Sequence, residues 1–393
     1  DKDDCEDLGI IKIDLLGLGM MAAIQDCLTT CQQRGQDRAI DLVSIPIDDR
    51  ATFDMMERAD TIGVFQIESR AQMATLPRMK PRTLYDVAIE VAIIRPGPIA
   101  GNLTHPYLDR RAGLKPIEYM HPDLKPVLER TLGIPLFQEQ ALQIAMIMAD
   151  FSGSEADELR RALSFHRSEE RLDKIVVKLQ RALDAKNVSP PVQEEITNSI
   201  RSFALYGFPE SHAISFALLA YASSWLKVHR AAEFYASLLN NQPMGFYSTD
   251  TLIKDAKRHG IQVHPVCVVK SDWLTTIVSD QAIRLGLNRV RGLSHSTAER
   301  ILIERNEEEW KHLVDFLNRT QIKKDERRIL AEIGALKEFT QHRRDALWQV
   351  ENPISQEDLF AENTPQSNEE ESILEAMNPV ERMEADYRGL HLS

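Results

Sequence analysis

A lysine and an aspartate separated by one residue, Lys12 and Asp14, lie just before a glycine-containing turn at residues 17–19. If residues 10–15 form a strand, the alternation of side chains places both on the same face. A carboxylate at a strand end suits Mg²⁺, and a lysine beside it suits a phosphate group. The pattern is also typical of an aspartate that only closes a turn. The segment therefore predicts either metal-assisted phosphate chemistry or an ordinary turn.

Three arginines elsewhere are placed where a phosphate could bind. Arg95 is followed by Pro-Gly-Pro, whose prolines end the preceding helix and fix a sharp turn. Arg160 and Arg161 are neighbours on a predicted helix. Guanidinium groups match the geometry of phosphate oxygens. A structural turn with a solvated arginine, and a solvated helix face, are the competing interpretations.

An aromatic-glycine-aromatic turn precedes a helix predicted over residues 213–228. Tyr206 and Phe208 flank the glycine, and Ser211 and His212 follow at the start of the helix. The amides and the dipole of a helix N-terminus favour anions, and aromatic rings stack on bases or sugars. These four residues are therefore candidates for contacts with a nucleotide. An aromatic pair packed beneath a helix cap is the alternative.

Residues 290–302 contain an apolar residue, a glycine, another apolar residue and then a capped helix. This order is similar to a helix-hairpin-helix, which offers backbone amides to DNA phosphates without reading the base sequence. The candidates for DNA contact are Arg291, Gly292, Ser294 and Ser296. Because other turns between helices share the pattern, it defines a hypothesis rather than a signature.

The elements that position these residues are mostly predicted as helices. Apolar residues recur at helical spacing over residues 20–33, 48–61, 83–94, 139–149, 168–184, 192–203, 213–228, 290–304 and 323–336. Another helix is expected from Ser154, with Asp157 as its capping partner. Short extended segments are expected at 10–15 and 62–67, and β-branched residues are concentrated in 261–285. The predicted fold class is mostly α with small β elements (α+β).

The net charge of −13 is concentrated near the two ends. Residues 351–393 hold eleven acids and two bases, and residues 1–7 hold five acids and one lysine. The body between them is neutral overall, so local basic faces can still bind phosphate. After residue 351 the chain is rich in Glu, Pro, Ser and Asn, a composition typical of a linker.

The 393 residues, with 43% hydrophobic and 27% charged residues, indicate a globular protein of two or three domains. No apolar run reaches the roughly 18–20 residues of a membrane span, and the acidic start does not resemble a signal peptide. Four cysteines fit a reducing cytoplasm. Cys27 and Cys31 lie one helical turn apart without a second Cys/His pair, so zinc is not expected.

In combination, six segments resemble the bacterial family C DNA polymerases, the family of the DNA polymerase III alpha subunit. Their order and spacing match that family, and the resemblance extends from about residue 8 to the end. The segments are Lys-Ile-Asp-Leu-Leu-Gly-Leu, Val-Phe-Gln-Ile-Glu-Ser-Arg, Ile-Arg-Pro-Gly-Pro, Phe-Gln-Glu-Gln, Leu-Arg-Arg-Ala and Tyr-Gly-Phe-Pro-Glu-Ser-His.

The resemblance implies a domain layout for this chain. Residues 1–19 correspond to the end of the palm, 20–265 to the fingers, 266–340 to a helix-hairpin-helix region, and 341–393 to an acidic linker. The other palm residues, the PHP domain and an OB-type domain are expected outside this chain, which should therefore not polymerise by itself.

The resemblance also implies roles for residues. Asp14 matches the third catalytic aspartate, a ligand of two Mg²⁺ ions, and Lys12 matches the neighbouring active-site lysine. Cations of the fingers should neutralise the triphosphate, and aromatic side chains should pack around the incoming nucleotide. The candidates for these two roles are Arg95, Arg160, Arg161 and His212, and Tyr206 and Phe208. The implied partners are primer-template DNA and deoxynucleoside triphosphates, with no membrane.

Three segments favour the error-prone, translesion branch of the family: residues 68–77, 209–210 and 242–247. In the acidic linker, Gln356, Asp358, Leu359 and Phe360 lie where the family places its sliding-clamp-binding peptide. A glutamine that can form hydrogen bonds and a Leu-Phe pair fit a hydrophobic pocket, although so short a motif also arises by chance. The alternatives are a replicative alpha subunit and a non-catalytic module that binds DNA or tethers a clamp.

Overall fold

The structure is a computed structural model that describes residues 2–11, 13, 15–35, 40–94, 106–164, 169–206, 208–245, 247–351 and 374–392. Within these ranges, the side chains of residues 2, 3, 6, 162–164, 169–172 and 202–206 are not described.

Helices dominate the described residues, which confirms the predicted fold class. They are α1 Lys2–Asp7, α2 Leu18–Gln33, α3 Arg50–Glu57, α4 Arg70–Met79, α5 Leu84–Ile93, α6 106–111, α7 Lys125–Leu128, α8 Gln138–Ala149, α9 Gly153–Ser164, α10 Glu169–Ala185, α11 Pro190–Tyr206, α12 Glu210–His229, α13 Ala231–Asn240, α14 Thr249–Arg258, α15 His295–Glu307, α16 Leu313–Thr320, α17 Lys324–Glu332, α18 Arg343–Glu351 and α19 Pro379–Leu390. Short 3₁₀ helices cover Pro122–Leu124, Glu129–Thr131 and Leu287–Arg289. None of these helices has both the length and the apolar content needed to cross a bilayer.

A three-stranded sheet forms in the segment where β-branched residues predict it. Its strands are β1 Gln262–His264, β2 Thr276–Ser279 and β3 Ala282–Arg284, in the order β1-β3-β2. Strand β3 is parallel to β1, with Val263 opposite Ile283, and antiparallel to β2.

The chain divides into two compact units. One, here called the central unit, comprises residues 41–228; the other, the discontinuous unit, comprises residues 1–40 and 229–393. In the central unit, helices α8 to α11 enclose a core of aliphatic side chains that includes Ile144, Leu159, Leu179 and Ile196. The discontinuous unit contains the sheet and helices α13 to α19.

Two segments expected to be extended contain no strand among their described residues. In the first, the described residues Ile10, Ile11, Ile13 and Leu15 are exposed, and helix α2 follows from Leu18. A strand requires a hydrogen-bonding neighbour, and the ladders of the described residues are confined to β1, β2 and β3. In the second, residues 62–67 form turns, with Gly63 and Gln66 at positive φ.

Two helix starts also differ from the prediction. The capping box of α9 is formed by Ser152 and Glu155 rather than by Ser154 and Asp157: the Glu155 carboxylate accepts from the Ser152 amide at 2.7 Å. The helix predicted from residue 290 begins at His295, because Ser294 caps it.

Candidate functional site

Two of the six motif segments meet in the central unit. The amide of Gln138, at the start of α8, donates to the Phe208 carbonyl at 3.0 Å. The next side chain, Glu139, accepts a hydrogen bond from the amide of Glu210 at 2.8 Å. Glu139 therefore satisfies one of the first amides of α12, which a helix leaves without an intrahelical partner.

The Glu210 carboxylate joins this contact to helix α5. The Tyr85 hydroxyl donates to it at 2.7 Å, and the Arg130 guanidinium lies 3.3 Å from the same oxygen and 5.4 Å above the Tyr85 ring. Burial and the hydrogen bond to Glu210 raise the pKa of Tyr85, so the hydroxyl remains a donor. Glu210, part of the segment 209–210 that is expected to indicate the error-prone branch, thus belongs to a network that includes Tyr85 on α5.

An aromatic row connects α12 with the segment at 64–70. The Phe208 ring lies 5.2 Å from His212, His212 lies 4.0 Å from Phe216, and Phe216 lies 5.2 Å edge-on from Phe65. The Phe65 amide also donates to Ser223 Oγ at 3.3 Å. The rings of Phe208 and His212 therefore pack against each other.

A buried lysine holds the loop that carries this segment, and sequence analysis did not identify it. The Lys227 side chain has no exposed surface, and its Nζ donates to the carbonyls of Asp60 and Ile62 at 3.1 and 3.0 Å. Burial raises the pKa of Glu68 to about 7, although the Gly63 amide and the charge of Lys227 oppose that rise. The available signal was a single charge near the end of an otherwise apolar helix.

A second buried cluster lies between α5 and α6. Arg111 Nη1 pairs with the Asp86 carboxylate at 2.6 Å, and Nη2 donates to the Lys80 carbonyl at 3.1 Å. Burial alone would raise the pKa of Asp86, but the hydrogen bonds from Arg111 and nearby amides hold it below its usual value. Burial raises the pKa of Glu90 to about 7, and Thr75 donates to this carboxyl at 2.9 Å.

The adjacent arginines of α9 share one acidic partner. Arg160 Nη2 lies 2.9 Å from Asp157 Oδ1, and Arg161 Nη2 lies 2.6 Å from Oδ2. Both guanidinium groups are more than half exposed. A phosphate that binds here would compete with these partly exposed ion pairs, which are weak and sensitive to salt.

The hairpin before α15 is held from α17. Ser294 Oγ accepts the Thr297 amide at 3.3 Å, while the Ser294 amide donates to Glu326 Oε1 at 2.9 Å. The Thr297 hydroxyl donates to the other Glu326 oxygen at 2.9 Å. Burial opposes ionisation of Glu326, yet these hydrogen bonds hold its pKa below the usual value. Gly292 has φ 85°, where a side chain would be strained.

The other predicted DNA contacts of this hairpin are exposed. The side chains of Arg291 and Ser296 face solvent, and Ser296 Oγ is 3.3 Å from Ser294 Oγ. Ser211 is exposed on the first turn of α12. The remaining predicted site residues lie outside the described part of the chain: Lys12, Asp14, Arg95, Gln356, Asp358, Leu359, Phe360 and the side chain of Tyr206.

Comparison with known proteins gives two matching family models. Residues 20–187 match the bacterial DNA polymerase III alpha subunit finger domain, and residues 260–346 match a helix-hairpin-helix motif.

Similar curated proteins are named error-prone DNA polymerase. The protein from Methylococcus capsulatus is 42% identical over 98% of this chain and 39% of its own length. The proteins from Pseudomonas fluorescens and Dechloromonas aromatica are 45% and 44% identical over 99% and 100% of this chain, and over 38% of their own lengths. The chain therefore spans about two fifths of the length of these relatives.

Proposed function

We propose that this chain belongs to the bacterial family C DNA polymerases, the family of the DNA polymerase III alpha subunit, and that it is part of an error-prone, DNA-directed DNA polymerase. The observation that carries the proposal is 42–45% identity, across nearly the whole chain, to relatives named error-prone DNA polymerase. Hydrogen bonds between two of the motif segments also support it: the Gln138 amide binds the Phe208 carbonyl, and Glu139 binds the Glu210 amide. The proposed reaction is template-directed transfer of nucleotides to a primer, including primers that end at damaged bases.

In this proposal Asp14 is one ligand of two Mg²⁺ ions, and Lys12 lies beside it as a phosphate contact. Carboxylate oxygen is a donor that Mg²⁺ prefers, and the described neighbours Ile11 and Ile13 are exposed. The other metal ligands belong to a part of the polymerase outside this chain. Two bound ions stabilise the attacking and leaving oxygens of an in-line phosphoryl transfer.

The central unit supplies the proposed nucleotide contacts. Arg95, Arg160, Arg161 and His212 neutralise triphosphate charge, Ser211 contributes a hydroxyl, and Tyr206 and Phe208 pack around the nucleotide. Electrostatic stabilisation of this kind is the main contribution of a protein to phosphoryl transfer. Arg160 and Arg161 would exchange their partly exposed ion pairs with Asp157 for phosphate oxygens.

The proposed layout assigns residues 1–19 to the palm, 20–265 to the fingers and 266–340 to the helix-hairpin-helix region. The hairpin residues Arg291, Gly292, Ser294 and Ser296 contact the DNA backbone. Residues 341–393 form the acidic linker, which contains helices α18 and α19, and its residues 356–360 bind a sliding clamp. The polymerase acts in the cytoplasm on primer-template DNA with deoxynucleoside triphosphates.

The test is primer extension by the full-length polymerase on an undamaged template and on one with an abasic site. Wild type should extend both primers, whereas Asp14→Asn should lower incorporation by about 1000-fold or more and leave primer-template affinity unchanged. Asp123→Asn, at an exposed carboxylate, is the matched control. Retained incorporation by Asp14→Asn would remove this residue from the metal site.

Two other outcomes favour the alternatives. Extension of the undamaged template without bypass of the abasic site favours the replicative alpha subunit. DNA binding without any incorporation by the wild type favours a non-catalytic binding module.

A further inference from the structure

Helix α19 lies against the helix-hairpin-helix region of the discontinuous unit. The Gly389 carbonyl accepts a hydrogen bond from the Arg291 amide, in the hairpin before α15, at 2.8 Å. The Gly389 backbone packs directly on the C-terminal end of α17, because a Cβ at this position would lie 2.3 Å from Cγ2 of the C-cap residue Ile333. One of the hairpin amides is therefore already bound by a protein carbonyl.

Two carboxylates of the same helix form ion pairs with arginines of α18. The Arg343 guanidinium, at the start of α18, binds both oxygens of Asp386, at 2.8 and 3.2 Å. Its neighbour Arg344 binds Glu381 at 2.6 Å. These ion pairs are partly exposed, with between 20 and 40% of each side chain accessible.

The groups that α19 binds are those that bind a nucleic-acid backbone in other proteins. A planar guanidinium pairs with phosphate in the same forked geometry as with carboxylate, and backbone amides contact phosphate oxygens directly. The contacts are also close together: Asp386 and Gly389 are three residues apart, a rise of about 4.5 Å along the helix.

We propose that Arg343, Arg344 and the Arg291 amide form one surface for a nucleic-acid phosphate backbone, and that α19 covers it in the free protein. Asp386, Glu381 and the Gly389 carbonyl occupy the positions that phosphate oxygens take when DNA binds. DNA and α19 then compete for the same donors. This inference rests on the proposed DNA-binding function and extends its surface from the first hairpin to α18.

The competition requires that the ion pairs of α19 can be exchanged. Partly exposed ion pairs contribute little to stability and weaken with salt, whereas a DNA backbone presents several phosphates at once and releases counterions on binding. If α19 is instead a fixed part of the unit, its carboxylates act only through the net charge of the chain. The two possibilities make different predictions for variants with the same charge.

The experiment measures binding of a fluorescent 20-base-pair duplex to the purified chain by anisotropy at several salt concentrations. Asp386→Asn should tighten binding by about threefold or more. The slope of log affinity against log salt concentration should also become steeper by roughly one, as expected for one additional phosphate contact. The matched control is Glu384→Gln, which removes one negative charge from α19 at a carboxylate that pairs with Arg388 of the same helix, 3.8 Å away. Equal gains for the two variants would overturn the proposal.

A second variant does not alter charge. Gly389→Ala adds a Cβ that clashes with Ile333, so it should loosen α19 and also tighten DNA binding, with folding checked by circular dichroism. Hydrogen exchange adds a direct readout: duplex DNA should accelerate exchange of residues 379–390 in wild type. Unchanged or slower exchange there would show that α19 stays in place and would refute the proposal.

The outcome can be separated from that of the proposed function. Absence of duplex binding in wild type and in all three variants would reject both the covered surface and DNA binding by the hairpin. If the chain binds the duplex and neither Asp386→Asn nor Gly389→Ala changes the affinity, only the covered surface is rejected.

Discussion

Replacement of Lys227 by methionine tests whether this buried cation holds the loop at residues 59–68. The substitution keeps most of the unbranched side chain and removes the ammonium group that binds the carbonyls of Asp60 and Ile62. A buried acceptor that loses its partner costs about 1–3 kcal/mol. The Asp60 carboxylate is one third exposed and can bind water instead, so the loss of its ion pair should add little to this cost.

These two carbonyls together give an expected loss of about 3 kcal/mol, within the range for a broken buried charge interaction. Native-state hydrogen exchange with mass spectrometry measures the free energy of opening for peptides that cover residues 59–68. A loss of about 3 kcal/mol corresponds to roughly 100-fold faster exchange where tenfold equals 1.4 kcal/mol. The pKa of Glu68 should also rise above about 7, because Lys227 lowers it in the wild type.

The matched control is Lys254→Met on α14, whose half-exposed ammonium pairs with Asp250 one turn away. Such a pair contributes about 0.3–0.5 kcal/mol on a helix. Exchange of the 59–68 peptides should therefore be unchanged in the control. If Lys227→Met accelerates their exchange less than about threefold, the loop does not depend on this lysine and the reasoning fails.

Other expected outcomes concern buried hydrogen bonds, pH and the linker. Because burial raises the pKa of Glu90 to about 7 in the folded chain from about 4.3 unfolded, stability should fall as pH rises between these values and level off above them. In urea denaturation, Glu90→Gln should show a shallower slope than wild type, with the contribution of Glu68 remaining. An equal slope would reject the assignment. Tyr85→Phe should lower the free energy of unfolding by about 1–2 kcal/mol, because the hydrogen bond to Glu210 is lost. Tyr387→Phe, on an exposed ring, should leave the free energy of unfolding unchanged. Similar losses in the two variants would contradict a stabilising bond between Tyr85 and Glu210. Phe360→Ala in the full-length polymerase should reduce clamp-stimulated but not basal synthesis, and undiminished stimulation would reject the clamp peptide.

Local sequence predicts the helices well where the cap and the apolar period agree. The segment from Thr83 predicts a helix over 83–94, and α5 covers Leu84–Ile93 with Thr83 as its cap. The β-branched segment 261–285 predicts the sheet correctly, because its strands and their partners are close in sequence. Such short-range information suffices for the fold class.

Other features depend on information that a local pattern does not contain. The chain offers two overlapping capping boxes before α9, and the structure uses Ser152 with Glu155 although Ser154 with Asp157 fits the same rule. The turns at 62–67 are contacted by Lys227, a residue distant in sequence that binds the Ile62 carbonyl. Alternation over residues 10–15 predicts a strand but cannot supply the neighbour that a strand requires.

In the candidate site, too, local sequence predicts the segments but not the contacts between them. The sequence identifies the segments that contain Phe208 and Gln138, but the contact between them appears only in the folded chain. Sequence analysis singled out the α12 N-terminus for anions because of its free amides and dipole. It did not identify Glu139 as the partner of the Glu210 amide, since a cap from another helix leaves no pattern near the helix it caps.

The two carboxylates at this end of α12 bear on how a triphosphate could bind there. Glu139 accepts the Glu210 amide and Glu210 lies in the first turn of the helix, so the positive end of the dipole already faces negative charge. A phosphate placed on the same amides would meet like charges. Side-chain cations are therefore the better candidates: His212 on α12, and Arg130, which would exchange Glu210 for phosphate. In that arrangement Glu210 limits anion affinity, and Glu210→Gln should lower the KM for nucleotide in the full-length polymerase; a raised KM would mean that the carboxylate mainly positions Tyr85 and Arg130.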